Sequence, residues 1–151
     1  MGWGSWKKSL NPSIVDLYEW VLVFEKPGGY LPGTDNMTKT EFVENVLGVW
    51  KIRPVKKITG KGKVNISGHP CPFPVELPRR IIKLYSHVGD TVLDPFAGIA
   101  STSVAALRCG RGSVSVDISE KYCDEGYRRL KNEIGTDIFD KKTVKIERLT
   151  I

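Results

Sequence analysis

The chain has 151 residues, 40% of them hydrophobic and 26% charged, values that suit one globular domain with a real core and exclude a disordered, collagenous or membrane-spanning polypeptide. Its 23 Lys and Arg against 17 Asp and Glu leave a charge of +6, which favours a polyanionic partner without establishing one. Cys71, Cys109 and Cys123 with His69 and His87 complete neither a disulfide framework nor a metal-ligand set, and the absence of a leader pattern points to the cytoplasm.

Residues 1–68 are expected to supply one strand and a basic loop region. The continuous apolar run Trp20-Val-Leu-Val-Phe24 reads as a strand buried on both faces. Gly, Pro and Lys from residue 26 to 68 make that stretch mostly loop. It is interrupted by one short helix, because Thr38 and Glu41 form a capping-box pattern and Phe42, Val43, Val46 and Leu47 follow at helical spacing before Gly48.

Residues 69–151 alternate helices and strands. Leu77, Ile81, Leu84 and Tyr85 mark a helix with Pro78 in its first turn; Thr91–Phe96 is a strand, Ser101–Cys109 a small-residue helix and Gly112–Asp117 a second strand. Tyr122, Cys123, Gly126, Tyr127 and Leu130 then line a helix that Ser119 can cap, and Thr143–Ile151 is read as a further strand. Such a series gives a parallel sheet with right-handed crossovers, an α/β fold.

The chemistry concentrates where the first of those strands turns into its helix, at Asp94-Pro-Phe-Ala-Gly98-Ile-Ala100-Ser-Thr102. Ligands of doubly wound sheets bind at such turns, where small residues admit the ligand to the backbone and a helix amino end offers N–H donors. Asp117 ends the next strand, nineteen residues after Gly98, a spacing at which a carboxylate can accept hydrogen bonds from both hydroxyls of a ribose. A complete G-x-G-x-x-G is absent, so a nucleoside without a pyrophosphate is the more natural guest.

The segments Gly68-His-Pro-Cys-Pro-Phe-Pro-Val-Glu-Leu-Pro78, Gly89-Asp-Thr-Val-Leu-Asp-Pro-Phe-Ala-Gly98 and Val116-Asp-Ile-Ser119 with Tyr122, preceded by Trp3-Gly-Ser-Trp6, Asn11-Pro-Ser13 and Tyr18 to Lys26, closely resemble the DNA amino-methyltransferases. These enzymes carry methyl from S-adenosylmethionine to adenine N6 or cytosine N4 of double-stranded DNA. From Gly68 on the likeness is to the carboxyl-terminal half of the subgroup whose catalytic motif precedes its cofactor motif, and the amino-terminal stretch is similar to the middle of those proteins. The resemblance implies a Rossmann-like methyltransferase fold in which His69, Pro70, Pro72, Phe73 and Pro74 line the methionine end of the cofactor. By the same likeness Asp94, Phe96, Gly98 and Ala100 form the cofactor turn, Ser101 and Thr102 start its helix, Asp117 holds the ribose and Ile118 packs on the adenine. The family usually has Gly where this chain has Ala100; a positive φ there would strain alanine, and its methyl would crowd the cofactor.

Members of the family carry an Asp-Pro-Pro-Tyr-like motif that grips the flipped base, and no Pro-Pro pair occurs in this sequence. Their sheet runs 3-2-1-4-5-7-6 with that motif ending strand 4, so strands 4 and 5 are expected to be missing from this chain, and no catalytic residue is assigned within it. The expectation is therefore a cofactor-binding part or subunit, completed by a second polypeptide carrying the catalytic half or by self-association; Met1 reads as a natural start, in keeping with a split gene. An inactive remnant is the alternative. So is a DNA-binding module without catalysis, in which Lys51, Arg53, Lys56, Lys57, Lys61 and Lys63 track phosphates. Pro70-Cys71 and Glu44-Asn-Val46 are similar to elements of the cytosine-C5 methyltransferases, but they stand in the wrong order for that family.

Overall fold

The computed structural model describes residues 18–29, 32–53, 55 and 74–135. The chain divides into two units, Met1–Leu31 and Pro32–Ile151. In the first, Tyr18 to Lys26 adopt no regular structure, and Trp20 and Phe24 are 80% and 87% exposed. The expected strand over Trp20–Phe24 is therefore corrected. An apolar run becomes a strand only when a neighbour accepts and donates its ladder hydrogen bonds, and the described strands pair only with each other.

The second unit keeps the alternating order. Its elements are α1 (Lys39–Asn45), α2 (Glu76–Tyr85), β1 (Thr91–Asp94), α3 (Ser101–Arg108), β2 (Gly112–Ser115) and α4 (Glu120–Gly135). β1 and β2 form a two-stranded parallel sheet with Thr91 opposite Gly112 and Asp94 opposite Ser115. Both strands stop two residues short of expectation, because Pro95 and Phe96 already turn towards α3, although the amides of Ala97 and Val116 still reach across, to the carbonyls of Val116 and Asp94. The strand expected over Thr143–Ile151 lies outside the described residues.

Side chains alternate across the two strands. Val92 faces the helices and packs against a core of Ile82 from α2 and Ala105, Ala106 and Cys109 from α3 and its cap. Ser115, on the same face, shares a hydrogen bond with the buried Ser103 of α3. Small residues let α3 lie close to the strands; Val104, Ala105 and Ala106 are completely buried.

α1 is capped as its sequence dictates: Thr38 Oγ1 accepts the Glu41 amide and the Glu41 carboxylate accepts the Thr38 amide. Its apolar residues do not form its buried side. Phe42, Val43, Val46 and Leu47 are exposed and Asn45 is buried. The reason is polar: Glu41 receives Arg79 at 2.9 Å and Lys83 at 2.7 Å from α2, so the ion-pairing side of α1, not its apolar side, is turned to the neighbouring helix. On α2, Pro78 and Ile82 are the most deeply buried, and Tyr85 is exposed.

Arg111, just before β2, is buried. Its guanidinium donates to Asn36 Oδ1 and Ser86 Oγ and to the carbonyls of Ser86 and Cys109, while Asn36 Nδ2 donates to the Cys109 carbonyl at 2.9 Å. Gly33 lies flat on His87, where an added Cβ would fall 2.2 Å from the imidazole. The segment from Gly33 to Asn36 is thereby fastened to the loop before β1 and the start of β2.

Candidate functional site

The carboxyl ends of β1 and β2 carry two turns joined by one side chain. The half-buried Asp117 accepts the Gly98 amide on Oδ2 at 2.7 Å and the Ser119 amide on Oδ1 at 2.8 Å. A charged acceptor makes both bonds stronger than neutral ones. It holds the turn after β1 against the turn after β2. Asp94 Oδ1 accepts the amide of Phe96 at 3.0 Å, an Asx turn that ends the strand. Gly98 adopts φ +51, a left-handed conformation that glycine enters without steric cost.

Ala100 is left-handed too, at φ 61 and ψ 39, and stands as the amino-terminal cap of α3 without a capping side chain. The positive φ considered for this position is what the chain adopts. Ala100 is buried, and a Cβ added at Gly126 of α4 would lie 2.9 Å from the Ala100 Cβ. The Ala100 methyl thus lies against Gly126 of α4.

Behind the turn, Arg129 of α4 donates to the Ile99 carbonyl and to Ser101 Oγ, each at 3.1 Å. Burial pulls its pKa below the usual arginine value, and the charge of Glu133 works against that. Reading the sequence did not single out Arg129. Its one available signal was helical spacing, three residues after Gly126 on the inner face of α4.

At the open end Phe96 is 86% exposed and Ile118 fully so. The strand ends thus bring together Asp94, Phe96, Gly98, Asp117 and Ile118, with Ala100 and Ser101 buried beneath and Thr102 half-buried. Pro74 precedes α2, its carbonyl accepting the Leu77 amide at 3.1 Å. His69, Pro70, Pro72 and Phe73 lie outside the described residues. So do Lys56, Lys57, Lys61 and Lys63 of the basic loop, whereas Lys51 and Arg53 are described and exposed.

These residues fit a nucleoside-type guest. Each Asp117 oxygen accepts one amide and keeps a lone pair for a hydroxyl donor, and two exposed apolar side chains stand beside it. Among the described residues no acidic or imidazole cluster is built to hold a metal, and no helix is long and apolar enough to cross a membrane.

Comparison with known proteins agrees with this geometry. The family N6_N4_Mtase, described as DNA methylase, matches residues 4–128. The type II beta methyltransferase M.BslI of Bacillus sp. strain NEB-606 is 30% identical over 113 residues, spanning 73% of this chain and 12% of that protein. The type II methyltransferase M.BglI of Bacillus subtilis is 35% identical over 109 residues, 72% of this chain and 29% of that one. Among solved structures, TTHA0409 of Thermus thermophilus complexed with S-adenosyl-L-methionine superposes with a TM-score of 0.56 at 28% identity, over 82% of this chain and 51% of that chain. The chain thus spans about a third or less of the curated relatives' length and about half of that solved chain. With the family match running through both strands and both turns, the chain belongs to the N6/N4 DNA methylase family.

Proposed function

We propose that this chain is the S-adenosylmethionine-binding part of a DNA amino-methyltransferase acting on adenine N6 or cytosine N4, and that the group gripping the acceptor amine comes from another polypeptide. The observation that carries the reading is the Asp117 carboxylate spanning the two turns, 2.7 Å from the Gly98 amide, with Phe96 and Ile118 exposed beside it. The S-adenosylmethionine complex of the related TTHA0409 supports the choice of nucleoside.

In this reading Asp117 receives the ribose hydroxyls, and Phe96 and Ile118 exclude water from the adenine. Asp94 and Gly98 shape the turn that admits the cofactor to the backbone, seated on Ala100, Ser101 and Thr102, and the segment holding His69, Pro70, Pro72, Phe73 and Pro74 closes the methionine end. When bound, the cofactor supplies an electrophilic methyl on a sulfonium. What this chain contributes is placement, since transfer between two bound groups is accelerated mainly by holding them in line. Lys51 and Arg53, exposed at the head of the basic loop, are suited to phosphates of double-stranded DNA, with Lys56, Lys57, Lys61 and Lys63 extending the run.

Titration calorimetry of the full chain with S-adenosylmethionine, beside a methyl-transfer assay on duplex DNA, tests both parts. The expected result is heat of binding and no methylated DNA. The absence of binding heat overturns the cofactor assignment; turnover by the purified chain overturns the need for a second polypeptide.

A further inference from the structure

The turn between β1 and α3 is held in shape by more than Asp117. The Ala100 amide donates to the Ala97 carbonyl at 2.8 Å, closing a four-residue turn over Gly98 and Ile99, and the Ala97 amide donates to the Val116 carbonyl at 2.9 Å. The carbonyl of Ile99 belongs to the same peptide unit as the Ala100 amide, and it accepts from Arg129 Nη1 at 3.1 Å. This one peptide unit is therefore fixed at both ends, by the main chain on its N–H side and by α4 on its C=O side. The same nitrogen of Arg129 donates to Ser101 Oγ at 3.1 Å. Ile99, Ala100 and Ser101 are 6%, 4% and 4% exposed, so water is a poor substitute for the guanidinium at this place.

The orientation of that peptide unit decides the conformation of Ala100. A planar peptide unit turns over by opposed rotations about ψ of the residue before it and φ of the residue after it. For this one, turning over takes Ala100 from φ 61 to the negative values that alanine prefers. It also takes the Ala100 amide off the Ala97 carbonyl and opens the turn from which the Gly98 amide meets Asp117 Oδ2. A left-handed alanine thus has a built-in tendency to relax, and Arg129 opposes it by holding the carbonyl where the left-handed state puts it. The two helices have a separate fastening, since Arg108 at the carboxyl end of α3 pairs with Glu133 of α4 at 2.8 Å. Both hydrogen bonds of Arg129 go instead to the turn and to the first residue of α3.

We infer that Arg129 is a positioning residue for the cofactor: from behind the turn, its guanidinium keeps the peptide unit joining Ile99 to Ala100 in the orientation that holds Ala100 left-handed and the Gly98 amide on Asp117, the form that receives S-adenosylmethionine. This rests on the reading above that the turn binds that cofactor. Without the guanidinium the preference of alanine for negative φ makes the receptive turn a minor form, and affinity falls by the fraction lost, about tenfold.

Calorimetric titration of the full chain with S-adenosylmethionine, read beside the carbon chemical shifts and the amide-to-Hα coupling of Ala100, tests the inference. Arg129→Met should bind about tenfold more weakly than the parent, with the Ala100 signals moved out of the left-handed range. Arg129→Lys should recover most of the loss, because both bonds come from one nitrogen and an ammonium has donors for both. Ala100→Gly added to Arg129→Met should recover it too, since glycine enters the left-handed region unaided; a merely structural role would gain nothing from that glycine. Arg108→Ala, which loosens α3 and α4 away from the turn, should leave the affinity unchanged, and a loss there equal to that of Arg129→Met assigns the effect to helix packing and overturns the inference. So does Arg129→Met binding as tightly as the parent, or binding weakly with Ala100 still left-handed and no recovery on adding the glycine. If circular dichroism shows that Arg129→Met does not fold, Arg129→Gln, polar but too short to serve both acceptors, takes its place in the same comparison. The Ala100 signals are read without cofactor, so the two claims part. A parent without binding heat removes the cofactor reading, whereas a parent with heat that Arg129→Met matches removes the role of Arg129 alone.

Discussion

Gly126 and Ala100 are expected to be coupled, and the coupling can be worked from their contact. An alanine at 126 gains about 1 kcal/mol over glycine in a helix interior. Its methyl would stand 2.9 Å from the Ala100 Cβ, while the next atoms, Ala100 N and Ile99 C, are at an ordinary 3.5 Å. Overpacking of this kind costs about 1–3 kcal/mol. Gly126→Ala should thus lose about 1 kcal/mol net, lowering Tm by about 2–4 °C. In an Ala100→Gly background the obstruction is gone, and the same substitution should stabilise by up to about 1 kcal/mol. Ala100→Gly itself should be near neutral. Relief of a left-handed alanine, about 1 kcal/mol, is offset by the lost buried methyl and by added freedom in the unfolded chain. Urea unfolding of the parent, both single variants and the double variant gives the interaction energy directly. If Gly126→Ala costs the same in both backgrounds to within about 0.5 kcal/mol, the packing argument is wrong.

Two carboxylates give further tests. The Lys83 ammonium, the Thr38 amide and Arg79 hold the Glu41 carboxyl down at about 2 against its usual 4.5. A depressed carboxylate pKa contributes stability that is present above the unfolded value and lost as pH falls through 4.5 towards 2. With the Glu41 side chain 26% exposed, solvent screening limits the effect to about 1 kcal/mol. Urea midpoints measured between about pH 6 and about pH 3 should fall less in Glu41→Gln than in the parent. Asp117→Asn leaves one oxygen where two amides are now served by a carboxylate, so it should cost about 1–3 kcal/mol of stability. It should also weaken S-adenosylmethionine binding at least tenfold by calorimetry; an unchanged affinity would refute the ribose role.

What can be read from the sequence is the strand, turn, helix, strand, helix series and the place where its turns meet. Gly98 and Asp117 stand out by spacing because a strand, a helix and a second strand occupy a predictable length of chain. Their direct hydrogen bond is not legible there, since spacing alone does not tell an amide of the chain from a hydroxyl of a guest. Arg129 and Arg111 escape notice for a common reason: their acceptors are backbone carbonyls, hydroxyls and an amide far along the chain, and no residue type announces such a site. The misread faces share another cause. Phe42, Val43, Val46 and Leu47 have the spacing of a buried stripe, but a seven-residue helix is oriented by its strongest contact, which for α1 is Glu41 with Arg79 and Lys83. Trp20 to Phe24 have the composition of an inner strand, and composition cannot supply the neighbour on which a strand depends.

The enclosed guanidinium of Arg111 sets a boundary on how this protein can be dissected. Its charge is balanced by dipoles gathered from three stretches of chain, one of them at Asn36, 75 positions upstream. An expression fragment opening at residue 69 would contain both described strands and the two turns that meet at Asp117, yet would strip that amide away and leave a solvent-starved cation with fewer oxygens to face. A fragment that keeps Arg111 satisfied accordingly has to retain the stretch from Gly33 to Asn36.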